Sequence, residues 1–330
     1  MSTHVQTLIG AAMTALLLAA ASGPAAAQSG KPWRHAIIEP KSDAGFFFMP
    51  SKGGFTQKQG LNVELVHIRT DAIGLKALIA GELESFEGGA QGAIAAAARG
   101  ADVKILGCHW VVVPHGVFVR SNINSLRDLK GKSVAVSSPG TFPELVAKAA
   151  FEKQGIAYDD VKFAAMGGDS DRYNALVAGV VDGAVVSNEY LPIAARDGVK
   201  ELVAGRDAAP DFIRVCTYST AKVLAERGAD AVKYLTAEMQ GLRYALSHRD
   251  ETIKLTFEIS GAKADDPRPA FVFDEAVRSK AIAPELPIPM EKLEAMQKLM
   301  VSSGALPKAV DLSKIVDGSI RAKALAAAGM

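Results

Sequence analysis

At 330 residues, with 49 % hydrophobic and 22 % charged residues and a formal net charge of +1, the chain has the composition of a globular protein with room for one large or two medium domains. That near-neutral balance removes the electrostatic case for nucleic acid or an anionic membrane surface as partner. Beyond Gln28 no run approaches the roughly 20 apolar residues that a membrane span needs.

The first predicted element is an export signal. Residues 8–21 form an apolar run interrupted only by Thr14, Ser22-Gly23-Pro24 break the run, and Ala25-Ala26-Ala27 supply small residues for a cut after Ala27. The segment before it holds no Lys or Arg, and no Cys near the cut offers a lipid anchor. Residues 1–27 are therefore expected to be a signal peptide, and the rest a soluble periplasmic protein.

After it, 34–39 reads as a strand, 45–60 as a broken helical stretch and 63–67 as an alternating strand. A helix opens at Asp71 and stops at Gly81. A short strand (85–88), an Ala-rich helix (90–99), and strands at 103–108 and 116–120 follow. Residues 121–122 mark an expected crossing into a second lobe, built from 133–137, a helix running to Gln154, 161–165, a helix after Asp169, 183–186 and a helix over 189–197. Residues 212–218 return the chain to the first lobe, and helices at 230–247, 250–259, 274–279 and 290–303 complete it. Alternation of strand and helix at short intervals predicts an α/β fold with mostly parallel sheets flanked by helices. The division is 28–120 with 213–330 as the first lobe and 121–212 as the second. Cys108 and Cys216 read two ways: an exported protein can pair them, or they are two small buried hydrophobes.

One pattern occurs twice. ALIAGELE at 77–84 matches ALVAGVVD at 175–182, QGLNVE at 59–64 answers QGI at 154–156, and AARG at 97–100 answers AARDG at 194–198. The spacing is too long for a solenoid, whose repeats recur every 20–50 residues or so. It fits two similar lobes facing one another across a cleft, which points to ligand binding.

In such sheets a ligand sits beyond the carboxyl ends of the strands, where helix N-termini offer free N–H groups. That rule selects Gly45 and Phe46, Thr70 and Asp71, Gln91, Ser138 with Gly140 and Thr141, Asp169, and Asn188 with Tyr190. Several have a second reading: Thr141 as the cap of its own helix, Gln91 as solvated surface, Phe46 as core. Arg69 follows the second strand and can neutralise an anion, or form a surface salt bridge. His109, Trp110 and His115 read as packing beside the hinge. No His pair at helix-face spacing, zinc-type Cys pair, Walker loop, GxGxxG or GxSxG motif occurs, so no metal, cofactor or hydrolytic centre is expected.

In order along the chain, KGGFTQKQGLNVELV (52–66), ALIAGE (77–82), RGADV (99–103), SLRDLKGKSVAVS (125–137) and NEYLP (188–192) resemble the periplasmic solute-binding proteins of ABC transporters, in the nitrate, sulfonate, taurine and thiamine-precursor branch. The resemblance covers residues 33–330. It implies a type II-like two-lobed periplasmic-binding-protein fold, no cofactor, a monomer, and a small organic anion (a sulfonate, carboxylate or aromatic acid) delivered to a membrane permease. The chain departs from the family's usual first loop at AGFFFMP (44–50), and Gly88-Gly89-Ala90-Gln91 replaces a usual polar residue. Desulfinases of the same superfamily carry a Cys nucleophile in the first loop, where this chain has Ser42-Asp43-Ala44-Gly45, and the iron-binding Cys run of the thiamine-pyrimidine synthases is missing. A ligand-sensing partner of a receptor would use the same fold.

Overall fold

The computed structural model describes residues 30–330, so the expected signal peptide and its cut lie outside the described residues. Two five-stranded sheets organise the chain. The first contains β1 (Trp33–Ile38), β2 (Val63–Ile68), β3 (Ser85–Gly88), β4 (Val103–Trp110) and β10 (Val215–Thr220); the second contains β5 (His115–Arg120), β6 (Ser133–Val136), β7 (Lys162–Ala165), β8 (Gly183–Ser187) and β9 (Val199–Ala204). Their orders are β2-β1-β3-β10-β4 and β7-β6-β8-β5-β9. In each, the fourth strand alone runs against the others: β10 is antiparallel to β3 and β4, and β5 to β8 and β9.

The duplicated pattern occupies matching places in these two sheets. ALIAG closes the helix Asp71–Ile79 ahead of β3, and ALVAG closes the helix Asp169–Val177 ahead of β8. Gly81 (φ 77°) and Gly179 (φ 74°) adopt the left-handed conformation that ends each helix, which a side chain with Cβ resists. β3 and β8 are short and fully buried, as central strands covered on both faces should be.

Strand pairing moves one expected boundary. The sequence puts the segment at 116–120 in the first lobe, yet β5 pairs throughout with β8 and β9 of the second. The first crossing is therefore the short stretch between Trp110 and His115, not Arg120–Asn122. The return crossing before β10 falls where 212–218 was read. β9 was not anticipated, because Lys200-Glu201 interrupts its apolar run.

Cys108 and Cys216 face each other across the β4–β10 ladder and form a disulfide, which settles the open reading of the two thiols. The helix Ala221–Ser247 packs against Ala44–Lys52 and Gly318–Ala328 on the first sheet. Phe142–Lys153 supplies the second lobe with Leu145, Val146 and Phe151, all at zero exposure.

Candidate functional site

Between the sheets lies a cleft of about 900 Å³. Its walls come from the carboxyl ends of the parallel strands: Glu39–Ala44 after β1, Arg69–Asp71 after β2, Gly88 and Gly89 at the end of β3, Ser137 after β6, Gly167–Asp169 after β7, and Glu189 and Tyr190 after β8. A further side comes from residues 260–268, which lead into the helix Arg268–Arg278.

The lobes touch across this space through charge. Lys41, from the first lobe, is ion-paired with the Asp169 carboxylate of the second. The neighbouring Ser42 N–H donates to Glu189 Oε2 at 3.3 Å. Asp169 also accepts from Arg172 and from the Ser187 N–H at 3.1 Å, and His115 Nε2 stands 3.5 Å away. Burial raises the cost of ionising Asp169, but Arg172, Lys41 and His115 outweigh it and hold the carboxyl well below the usual range. Lys41 is pulled above its ordinary pKa by Asp169 and Glu189 against the penalty of burial.

The floor carries an arginine that sequence reasoning missed. Arg214 sits on the return crossing, donates to Asp43 at 2.5 Å, and lies over the rings of Trp110 (4.3 Å) and Phe47 (5.4 Å). Its Nη1 is buried and has no partner. Three other atoms of wall residues are in the same position: Asp71 Oδ1, Glu87 Oε2 and His115 Nδ1. Asp71 holds Gln91 Nε2 at 3.0 Å through its other oxygen, and burial pushes its carboxyl up to about 6. On the second-lobe wall Tyr190 stacks on Tyr173 at 4.0 Å, with Arg268 beyond it.

Of the residues singled out from the sequence, Arg69, Thr70, Asp71, Asp169 and Tyr190 line this cleft. Arg69 is 74 % exposed at the rim and faces Glu39 at 3.7 Å, the surface salt bridge of its second reading. Gln91 is buried one layer behind, against Asp71. Gly45 and Phe46 belong to the core instead. The Gly45 N–H donates to Thr256 Oγ1, and Phe46 stacks on Phe273 at 5.4 Å; the wall position falls to Phe47 and Phe48.

The expected anion loop is closed on itself. Thr141 Oγ1 donates to Ser138 O and accepts from the Ser138 N–H, while the Gly140 N–H is taken by Glu144 Oε2 at 2.5 Å. Ser138, Gly140 and Thr141 lie off the cleft wall, where Ser137, Phe142 and Pro143 take their place. A carboxylate one helical turn on had already claimed the N–H that the sequence offered to a ligand. Asn188 points away too, lining a small pocket with Trp110 and Pro114.

Beneath the first-lobe wall lies a dry polar cluster: His35, Glu87, His109 and Glu238 are each at most 2 % exposed. His109 Nδ1 is 3.0 Å from Glu238 Oε1, and His35 Nε2 is 3.2 Å from Glu87 Oε1. Burial pushes the Glu87 carboxyl up to about 8 and the His35 imidazole down to about 3. Burial opposes charge on His109 as well, but Glu87 and Glu238 outweigh it and raise its pKa. Only Glu87 of this group reaches the cleft.

Among solved structures, the sulphonate-binding protein SsuA of Escherichia coli aligns with a TM-score of 0.71 at 20 % identity, over 88 % of this chain and 92 % of its own. The alkanesulfonate-binding protein SsuA of Xanthomonas axonopodis pv. citri, bound to MOPS, aligns at 0.70 and 20 % identity, over 88 % and 99 %. A DszB variant in complex with biphenyl-2-sulfinic acid aligns at 0.65 and 15 % identity, over 89 % and 99 %. At these identities the likeness establishes the fold, the two-lobed periplasmic-binding-protein architecture. No curated protein matches the sequence. The family model described as NMT1/THI5 like matches residues 42–252, more than half of the chain and most of both cleft walls, and the chain belongs to that family.

Proposed function

We propose that this chain is the solute-binding component of an ABC importer. After export and removal of residues 1–27, it closes its two lobes around a small organic anion, a sulfonate, carboxylate or aromatic acid, and hands it to a membrane permease. The observation that carries this reading is Arg214: a guanidinium at the cleft floor, pinned by Asp43 and two aromatic rings, with one buried Nη1 unclaimed. An oxyanion is the partner such a donor takes, and a charge-assisted bond to it is short and strong. Phe47 beside it, and Phe48 elsewhere on the wall, suit the apolar body of the same ligand. The two SsuA neighbours bind sulfonates in the same fold, which supports this ligand class. Both cysteines of the chain are joined to each other, so a thiolate nucleophile of the desulfinase kind has no residue to come from, and binding rather than turnover is the reading.

Thermal denaturation of the purified protein against a panel of sulfonates, carboxylates and aromatic acids tests it. A ligand at about 100 times its Kd stabilises the folded state by about 2.7 kcal/mol. Arg214→Gln, checked for folding by circular dichroism, should lose about 1.5–3 kcal/mol of binding, roughly 10- to 150-fold in affinity. Wild-type affinity in the folded variant would remove Arg214 from the site, and a panel without any stabilising anion would overturn the reading.

A further inference from the structure

We propose that Glu87, His109 and Glu238, with His35 beside them, form a binding site for one divalent transition-metal ion under the first-lobe wall of the cleft. The ligating atoms of Glu87, His109 and Glu238 lie within 4.8 Å of one another, close enough for one ion to gather them. All four side chains are buried, so these are not exposed acids that merely happen to be neighbours. Glu87 Oε2 and His109 Nε2 are sealed from solvent and make no hydrogen bond, and His35 Nε2, though 3.2 Å from Glu87 Oε1, is not aligned to bond it. Buried polar atoms almost always find partners, and three orphans in one cluster need a common explanation.

The surroundings are those of a metal centre. A ligating imidazole usually gives its second nitrogen to a neighbouring oxygen, and ligating carboxylates are themselves hydrogen-bonded. Here His35 Nδ1 is 2.7 Å from Ser85 Oγ, which Trp33 Nε1 also bonds, and Glu238 accepts from Thr217 Oγ1 at 2.9 Å. The Tyr234 hydroxyl approaches Glu87 Oε1 at 3.4 Å. One imidazole and two carboxylates, with the His35 imidazole beside them, favour zinc, manganese or ferrous iron over calcium and magnesium, which prefer oxygen alone. Glu87, on the cleft wall, gives the ion its way in. The four residues come from β1, β3, β4 and the long helix Ala221–Ser247, which is why motif spacing along the chain gave no sign of them.

The test needs no knowledge of the solute. Tag-free protein is stripped with a chelator, incubated with Zn²⁺, freed of excess ion and assayed by elemental analysis. One equivalent per chain is expected, with a rise in melting temperature. His109→Gln and Glu238→Gln should each lower Zn²⁺ affinity at least tenfold, whereas His67→Gln with His248→Gln, at exposed positions, should change nothing. Should the His109 variant fail to fold, Co²⁺ titration of the wild type gives a second measurement: tetrahedral N/O ligation produces visible absorption bands that aqueous Co²⁺ lacks. No retained Zn²⁺ and no such bands would overturn the proposal. So would retention in His109→Gln equal to the wild type, which would mean adventitious surface binding. Solute binding through Arg214 stands or falls separately.

Discussion

Asp169 gathers Lys41, Arg172, His115 and the Ser187 N–H around one carboxylate, so its removal strands more than one buried cation. Asp169→Asn should cost about 3–5 kcal/mol at pH 7, measured by urea unfolding, as expected when one partner of a buried pair is lost. Because the folded pKa lies below the unfolded value near 3.9, this stabilisation is complete above that value and disappears as pH falls through the folded one. The wild-type advantage should hold from pH 8 to 6 and shrink as pH falls below about 4; an advantage that stays constant below pH 4 would not come from the carboxylate charge. Asp71 has the opposite sign. The residue is half-buried, but its Oδ1 is sealed, and its carboxyl titrates near 6. Ionisation in the folded state is therefore a cost present above pH 6, relieved as pH falls towards the unfolded value. Asp71→Asn should be more stable than wild type by about 1–3 kcal/mol at pH 8 and equal to it below about pH 4. A constant difference at all pH values would rule out this origin.

At the scale of elements, the helix Ala44–Lys52 and the helix Arg249–Ser260 meet at Gly45. A Cβ there would stand 2.2 Å from Thr252 O, a backbone atom that cannot swing aside. Alanine's advantage over glycine inside a helix is about 0.5–1 kcal/mol. Forcing two packed helices apart typically costs about 1–3 kcal/mol. Gly45→Ala should therefore lower the melting temperature, and an unchanged or higher one would show that the helices separate freely. Elements of this kind were legible where periodicity and punctuation agree: Asp71 to Gly81, Ser85 to Gly88, and the repeat that puts β3 and β8 in matching places. Sheet membership was less so, because nothing in the apolar run of β5 says which neighbours it will choose. Part of the candidate site follows from strand ends alone, through Arg69, Thr70, Asp71, Asp169 and Tyr190. The rest depended on partners distant in sequence: Lys41 with Asp169, Asp43 with Arg214, Ser42 with Glu189, at separations of 128, 171 and 147 residues. Charges that answer one another over such distances leave no local pattern.

For the whole molecule, the second lobe leaves β4 after Trp110 and returns at β10, beside its point of departure. Cys108 and Cys216 join those two strands, 108 residues apart in sequence. Everything the second sheet contains is thus held within a covalently closed ring. In the chain-entropy account a loop of that size stabilises the folded state by about 4–5 kcal/mol. The ring also has a topological meaning: one nick anywhere between its two sulfurs opens it without releasing either piece. Limited proteolysis at the exposed Ser121 or Asn122 should leave a single species on a denaturing gel without reductant and two fragments with it. Two fragments in both lanes would show the ring to be open in solution.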